Sequence, residues 1–159
     1  MKRHSWKYMA GLVDGEGCID MQASRDKRDG TFYCRPRLRM TFSGPAGEIL
    51  IPQFVANFGG HLDTKRRFKE NPNWQTAHTW LLTGKTPLRK FLQNIFKHLI
   101  IKKEQAKFAI WWIDNMMGKH VTEEVRRLGV EELKAMKRDP HRLNDSTVQK
   151  LNELMRQSG

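Results

Sequence analysis

Asp14 and Glu16 are two carboxylates one residue apart in the run Met9-Ala10-Gly11-Leu12-Val13-Asp14-Gly15-Glu16-Gly17. Ser5 can cap a helix that begins at Trp6 and runs toward Gly17, so both acids fall at its C-terminal end. That end carries partial negative charge and disfavours acids. Carboxylates placed there make chemical sense beside a cation or a proton-transfer task. Gly11 and Gly15 lie one turn apart on one face of the same helix. Each costs about 1 kcal/mol relative to alanine, and close backbone approach of a second helix would offset that. The spacing equally allows a glycine C-cap, a frayed end and solvated acids.

A second group of residues suits a polyanion. Arg35, Arg37 and Arg39 alternate along one stretch with Leu38 and Met40 between, placing three guanidiniums on one strand face, where they repel unless solvated or answered by anions. The preceding alternating stretch puts Asp20, Gln22 and Ser24 on one face and Ile19, Met21 and Ala23 on the other. Charged and hydrogen-bonding groups side by side are what base-edge readout uses. Lys65, Arg67, Gln75 and Thr79 extend the same surface on two later strands. A solvated sheet face is the plain alternative. His78, a lone histidine on a partly apolar strand face, reads as a hydrogen-bonded packing residue.

Charge supports a nucleic-acid partner. The chain has 29 Lys and Arg against 17 acids, a net charge of +12 and a pI near 10.1, which favours nucleic acid first and an anionic membrane second. No apolar run approaches the roughly 18 residues of a membrane span, and the basic N-terminus lacks the apolar segment of a secretion signal. An intracellular protein of bacterial or phage-infected cytoplasm, or of an organelle, is expected. Cys18 and Cys34 are the two cysteines; without a Cys-x-x-Cys or histidine cluster they read as reduced packing residues rather than a zinc site.

The elements that position these groups follow from periodicity. Helix 6–16 is followed by a strand from about 17, a turn at Asp26–Gly30 and a second strand Thr31–Phe42. A helix over Glu48–Phe58 directs Ile49, Leu50, Phe54, Val55 and Phe58 mainly to the core, with Pro52 near its first turn or forcing a late start. Strands His61–Phe68 and Trp74–Leu82, then helices Leu88–Leu99 and Glu104–Met116, complete a core of about 5–116. Residues 119–159 add helices with Thr122 and Asp145 or Ser146 as caps. Their basic residues, Arg126 and Arg127 included, suit phosphate contacts or a solvated face. One domain of α+β class is predicted over 1–159, with a four-stranded antiparallel sheet covered by helices on one face.

The nonapeptide resembles the signature of the LAGLIDADG homing endonucleases, with Met9 for the first leucine, Val13 for isoleucine, Gly15 for the second alanine and Glu16 for the second aspartate. Lys102-Lys103-Glu104-Gln105-Ala106 is similar to a second stretch of that family, a lysine ahead of a Gln-Ala pair. The resemblance spans most of residues 5–115. It implies an αββαββα fold with a saddle-shaped sheet, and site-specific cleavage of double-stranded DNA in intron homing. It further implies Mg²⁺, or another divalent cation such as Mn²⁺, held by Glu16 and the Gly15 carbonyl, with Lys102 stabilising charge at the phosphate. Asp14 matches an acid more concerned with structure at the helix end. The chain has one motif, so the resemblance implies a homodimer whose motif helices meet through Ala10, Gly11, Asp14 and Gly15. A ten-residue strand spans roughly 33 Å, so one sheet follows about ten base pairs and a dimer about twenty, on a palindrome-like target.

One position departs from the pattern. A glutamine that orders active-site water has no match in Ser43-Gly44-Pro45-Ala46-Gly47-Glu48, leaving Ser43 or Glu48 to substitute, or weaker turnover. Two other readings therefore stand beside the nuclease. One is an RNA-splicing maturase or a catalytically silent nucleic-acid binder, and the other a basic protein that uses charge without sequence preference.

Overall fold

A computed structural model describes residues 3–66, 69–140 and 145–157. The elements in order are α1 (Trp6–Glu16), β1 (Gly17–Arg25), β2 (Phe32–Ser43), α2 (Pro45–Phe58), β3 (His61–Lys65), β4 (Ala77–Leu82), α3 (Lys85–Phe96), α4 (Lys103–Asn115), α5 (Glu123–Arg138) and α6 (Asp145–Gln157). The four strands form one sheet in the order β1-β2-β4-β3. The fold is α+β, as the periodicity predicts. The chain packs as two compact units, the first from Met1–Cys18 and Arg37–Leu99, the second from Ile19–Pro36 and Ile100–Gly159.

In the first unit the Ser5 hydroxyl accepts from the Tyr8 N–H at 3.2 Å, capping α1, and Met9, Ala10 and Val13 are fully buried. Gly17 ends the helix under steric necessity: a Cβ there would lie 2.7 Å from the Val13 carbonyl oxygen. The inner face of the sheet supplies Leu38, Met40, Trp80 and Leu82, all fully buried, against Phe54 of α2 and Phe91 of α3. Burying each such side chain contributes about 1.5–3 kcal/mol. The Trp80 indole N–H donates to the Gly59 carbonyl at 2.9 Å, so its polar end is satisfied in the core.

Three details of this unit differ from the sequence reading. α2 starts at Pro45, three residues early, and runs through Pro52. Pro45 sits in the first turn, where its fixed φ suits a helix, and Pro52 is on the solvent side. Helical spacing decides the burial: Ile51, three residues before Phe54, shares its face and is buried, while Ile49, five before it, is 61% exposed, not core as expected. β3 and β4 are also shorter than predicted. The Asn71 side chain accepts from the Asn73 N–H at 2.9 Å and its carbonyl from the Trp74 N–H at 3.0 Å, and β4 begins only at Ala77, leaving out Trp74, Gln75 and Thr76, which alternation assigns to it. His78 packs as expected, buried beside Gly47 with Nδ1 3.4 Å from the Thr64 hydroxyl.

In the second unit α4 packs with α5, and α5 with α6. Gly129 lets α5 meet the buried Trp112 of α4, since a Cβ would fall 2.2 Å from the indole ring. The buried Gln105 donates to the Met136 carbonyl at 3.0 Å, and the buried Glu132 accepts from the Thr147 hydroxyl at 2.8 Å. The β1–β2 turn closes as predicted, with the Asp26 N–H on the Thr31 carbonyl at 2.9 Å and Gly30 at φ +73°.

Candidate nucleic-acid interface

Glu16 closes α1 with its side chain exposed, and among the described residues no hydrogen bond or ion pair engages its carboxylate. Gly11 and Gly15 are exposed too, and a Cβ on either would meet nothing within 4 Å. The stripe leading to Glu16 is thus bare helix backbone. Ala10 does not share it: the residue is fully buried inside its own chain. Asp14 is half-buried.

Strand alternation builds the outer face beside it. On β2 the side chains of Leu38 and Met40 point inward, which turns Arg37, Arg39 and Thr41 outward. The register then sets three rows across β2, β4 and β3: Arg39–Leu81–His61, Thr41–Thr79–Asp63 and Ser43–Ala77–Lys65. The Thr41 and Thr79 hydroxyls hydrogen-bond at 2.8 Å. An Arg39 guanidinium N–H lies 3.7 Å from the Cys18 sulfur, fixing this cationic row two residues beyond Glu16. Lys65 ion-pairs with Glu70 at 3.1 Å, so part of its charge is already answered. Gln75 is not on β4 but in the loop before it, its amide against Gly44. Arg67 lies outside the described residues.

In the second unit the Arg35 guanidinium donates to the Gln22 side-chain oxygen at 3.0 Å across β1 and β2. These two residues, Ser24, Tyr33 and Cys34 line an open cleft of about 340 Å³. Asp20 is not on this open face: it is buried and ion-paired with Lys137 at 3.8 Å. Lys102 is half-buried at the N-terminal boundary of α4.

Tyr33 was not singled out by sequence reasoning, yet it is 47% exposed on the outer face of β2, with the Arg126 guanidinium 5.4 Å from its ring centre. Strict alternation with Arg35 was the available signal. Arg127 is exposed, as the solvated-face reading expects, and Arg126 is half-buried, and both engage partners within the chain. Arg126 donates to the Phe32 carbonyl, while Arg127 lies over the Phe32 ring at 5.0 Å and donates to Glu123 at 2.7 Å. Arg25 donates to the same carboxylate at 2.7 Å, and hydrogen bonds from Arg25 and then Arg127 hold the Glu123 carboxyl down at about 2. These arginines brace the hairpin on α5. Burial pushes the Cys34 thiol up to about 11 against the opposing charge of Arg126, so it is neither a thiolate ligand nor a nucleophile at neutral pH.

The first unit thus carries a basic, hydrogen-bonding sheet face beside one exposed carboxylate, and the fold has solved counterparts. The homing endonuclease I-CvuI in complex with its target superposes with a TM-score of 0.66 at 18% identity, over 96% of this chain and 92% of that one. The homing endonuclease I-TnaI gives 0.62 at 20% identity, over 96% and 98%. I-LtrWI, a LAGLIDADG homing endonuclease bound to target DNA, gives 0.60 at 20% identity over 86% of this chain but 44% of its own, so this chain spans less than half of it. No family sequence model and no curated protein matches the sequence. The chain has the fold of the LAGLIDADG homing endonucleases, which is the fold that its nonapeptide implies.

Proposed function

We propose that the protein is a site-specific double-strand DNA endonuclease that acts inside the cell as a homodimer, with a divalent cation, on a long palindrome-like target. The observation that carries this reading is the bare glycine stripe ending in the unengaged Glu16 carboxylate, two residues from the point where Arg39 reaches Cys18. A stripe that none of the described residues covers suits a second copy of α1. The lengths agree with that: one copy corresponds to nearly all of I-CvuI and to less than half of I-LtrWI.

The donor set suits a hard cation. Among the described residues no three His, Cys, Asp or Glu side chains converge, so one chain offers an exposed carboxylate and the Gly15 carbonyl in the last turn of a helix, where carbonyls lack intrahelical partners. Oxygen-only donors fit Mg²⁺ or Mn²⁺, which complete their shells with water and phosphate oxygens. When bound, such an ion activates an attacking water and balances charge on the leaving oxygen. Glu16 holds the cation beside the phosphate. Arg37, Arg39 and Arg35 anchor the backbone, Gln22, Ser24 and Thr79 read base edges, and Lys102 offsets charge developing on the phosphate.

The test is selection from a pool of randomised duplexes of about thirty base pairs, with Mg²⁺ or EDTA, sequencing both bound and cut molecules. A palindrome-like motif cut only with Mg²⁺ and spared by Glu16→Gln is expected; cutting that survives Glu16→Gln refutes the assignment. One observation favours the second reading, a silent binder or RNA maturase. Glu48, a candidate for the missing glutamine, lies 3.8 Å from Nε2 of the inward-facing His78. That reading predicts enrichment without cutting, and in its maturase form a preference for intron RNA.

A further inference from the structure

The first unit holds a cleft of about 670 Å³ at the N-terminal end of α1, where Trp6, Phe58 and Phe91 meet Arg3, Thr86 and Lys90. α1 is 11 residues long, so the cleft lies roughly 16 Å along the helix from Glu16. Its volume is within the roughly 300–1,000 Å³ of small-molecule sites. The wall is aromatic: ring centres are 5.2 Å apart for Trp6 and Phe58, 5.8 Å for Trp6 and Phe91, and 5.2 Å for Phe58 and Phe91. The rim is cationic. Arg3 and Lys90 are exposed, neither has an ion pair among the described residues, and no carboxylate lines the cleft. One side is fixed, since the His4 ring hydrogen-bonds the Gln53 side-chain oxygen at 2.8 Å and stacks on Tyr8 at 5.3 Å.

A metal cation would be repelled here, and a purely apolar ligand would leave both charges unanswered. A flat apolar body with an anionic end satisfies both halves. We propose that this cleft binds an aromatic phosphate, with the ring against Trp6 and Phe58 and the phosphate between Arg3 and Lys90. A free nucleotide and the 5′-phosphorylated end of a nucleic-acid strand share that chemistry. The site is separate from the sheet surface and does not depend on the nuclease reading.

The experiment titrates the full chain with adenosine monophosphate, following tryptophan fluorescence, beside adenosine and the exposed-residue variants Lys90→Glu and Arg3→Glu, with circular dichroism to verify folding. Saturable binding is expected, weakened about tenfold or more by loss of the phosphate or by either charge reversal. Absence of saturation in the millimolar range, or saturation indifferent to Lys90→Glu, overturns the proposal, as does equal affinity for adenosine. Short single strands with and without a 5′-phosphate then distinguish the source. A phosphate-dependent gain lost in Lys90→Glu assigns the cleft to a strand end; a gain restricted to the mononucleotide assigns it to a free nucleotide.

Discussion

Replacing Gly11 by leucine separates what α1 needs as part of one chain from what it needs against a second. A Cβ at this position meets nothing within 4 Å, so the side chain enters open space in a single copy. Glycine in a helix interior is about 0.8–1 kcal/mol worse than a good helix former. The monomer therefore gains roughly 0.5–1 kcal/mol, a rise of about 1–4 °C in Tm at this size. If two α1 helices meet along the Gly11–Gly15 stripe, the same side chain enters their seam twice. Overpacking costs about 1–3 kcal/mol per site, so roughly 2–6 kcal/mol for the pair, and dimerisation weakens at least about thirtyfold. Sedimentation velocity over a concentration series measures the second effect, and urea unfolding at dilute concentration the first. Cleavage falls with the dimer while the chain stays folded. A Gly11→Leu variant that dimerises and cuts as the parent does would remove the seam from this face; one that is less stable when dilute would show that the chain itself occupies the space.

Other outcomes follow from the same geometry. Gly129→Ala drives a Cβ to 2.2 Å from the buried Trp112 ring, and overpacking of roughly 1–3 kcal/mol outweighs the helix-propensity gain, lowering the denaturation midpoint; an unchanged midpoint would mean that α4 and α5 yield freely. Hydrogen bonds from Arg25 and Arg127 lower the Glu123 carboxyl from 4.5 to about 2 in the folded chain. A depressed carboxyl stabilises fully above its unfolded value and loses that contribution as pH falls, here between about 4.5 and 2. The stability lost over that window is expected to shrink in Glu123→Gln, and an identical acid limb in both proteins would contradict the clamp. Cys34, raised to about 11, is alkylated at pH 8 roughly a hundredfold more slowly than a thiol of ordinary pKa, which mass spectrometry of partially labelled protein reads; labelling at the rate of a free thiol would show that its burial does not persist.

Local rules located α1 and the outer face of the sheet. Ser5, the glycine spacing and the acids predict α1 and its C-terminal carboxylate because each rests on contacts within one or two turns. Alternation likewise put Arg37, Arg39 and Thr79 outward, since a strand has two faces and the core takes Leu38, Met40 and Trp80. The reading failed at strand ends and at one helix position. Trp74, Gln75 and Thr76 alternate like strand residues, yet the Asn71 carbonyl takes the Trp74 N–H and β4 begins only at Ala77. In α2 Ile51, three residues from Phe54, shares its buried face, while Ile49, five residues away, is turned off it.

The arginines of α5 show a deeper reason why a basic composition does not identify its own binding residues. A positive residue reads the same in sequence whether its partner is a phosphate or a carboxylate far along the chain. Glu123 is separated from Arg25 by 98 positions, yet it engages both Arg25 and Arg127. Those two cations are therefore weak anchors for a nucleic acid, because recruiting them would leave Glu123 facing a polyanion. Arg35 differs. Its partner is the neutral Gln22 amide, so turning to a phosphate exposes no bare charge and frees a side chain able to pair with a base edge. Under the proposed function, Arg35 is therefore better placed than Arg25 or Arg127 to exchange its partner for a phosphate.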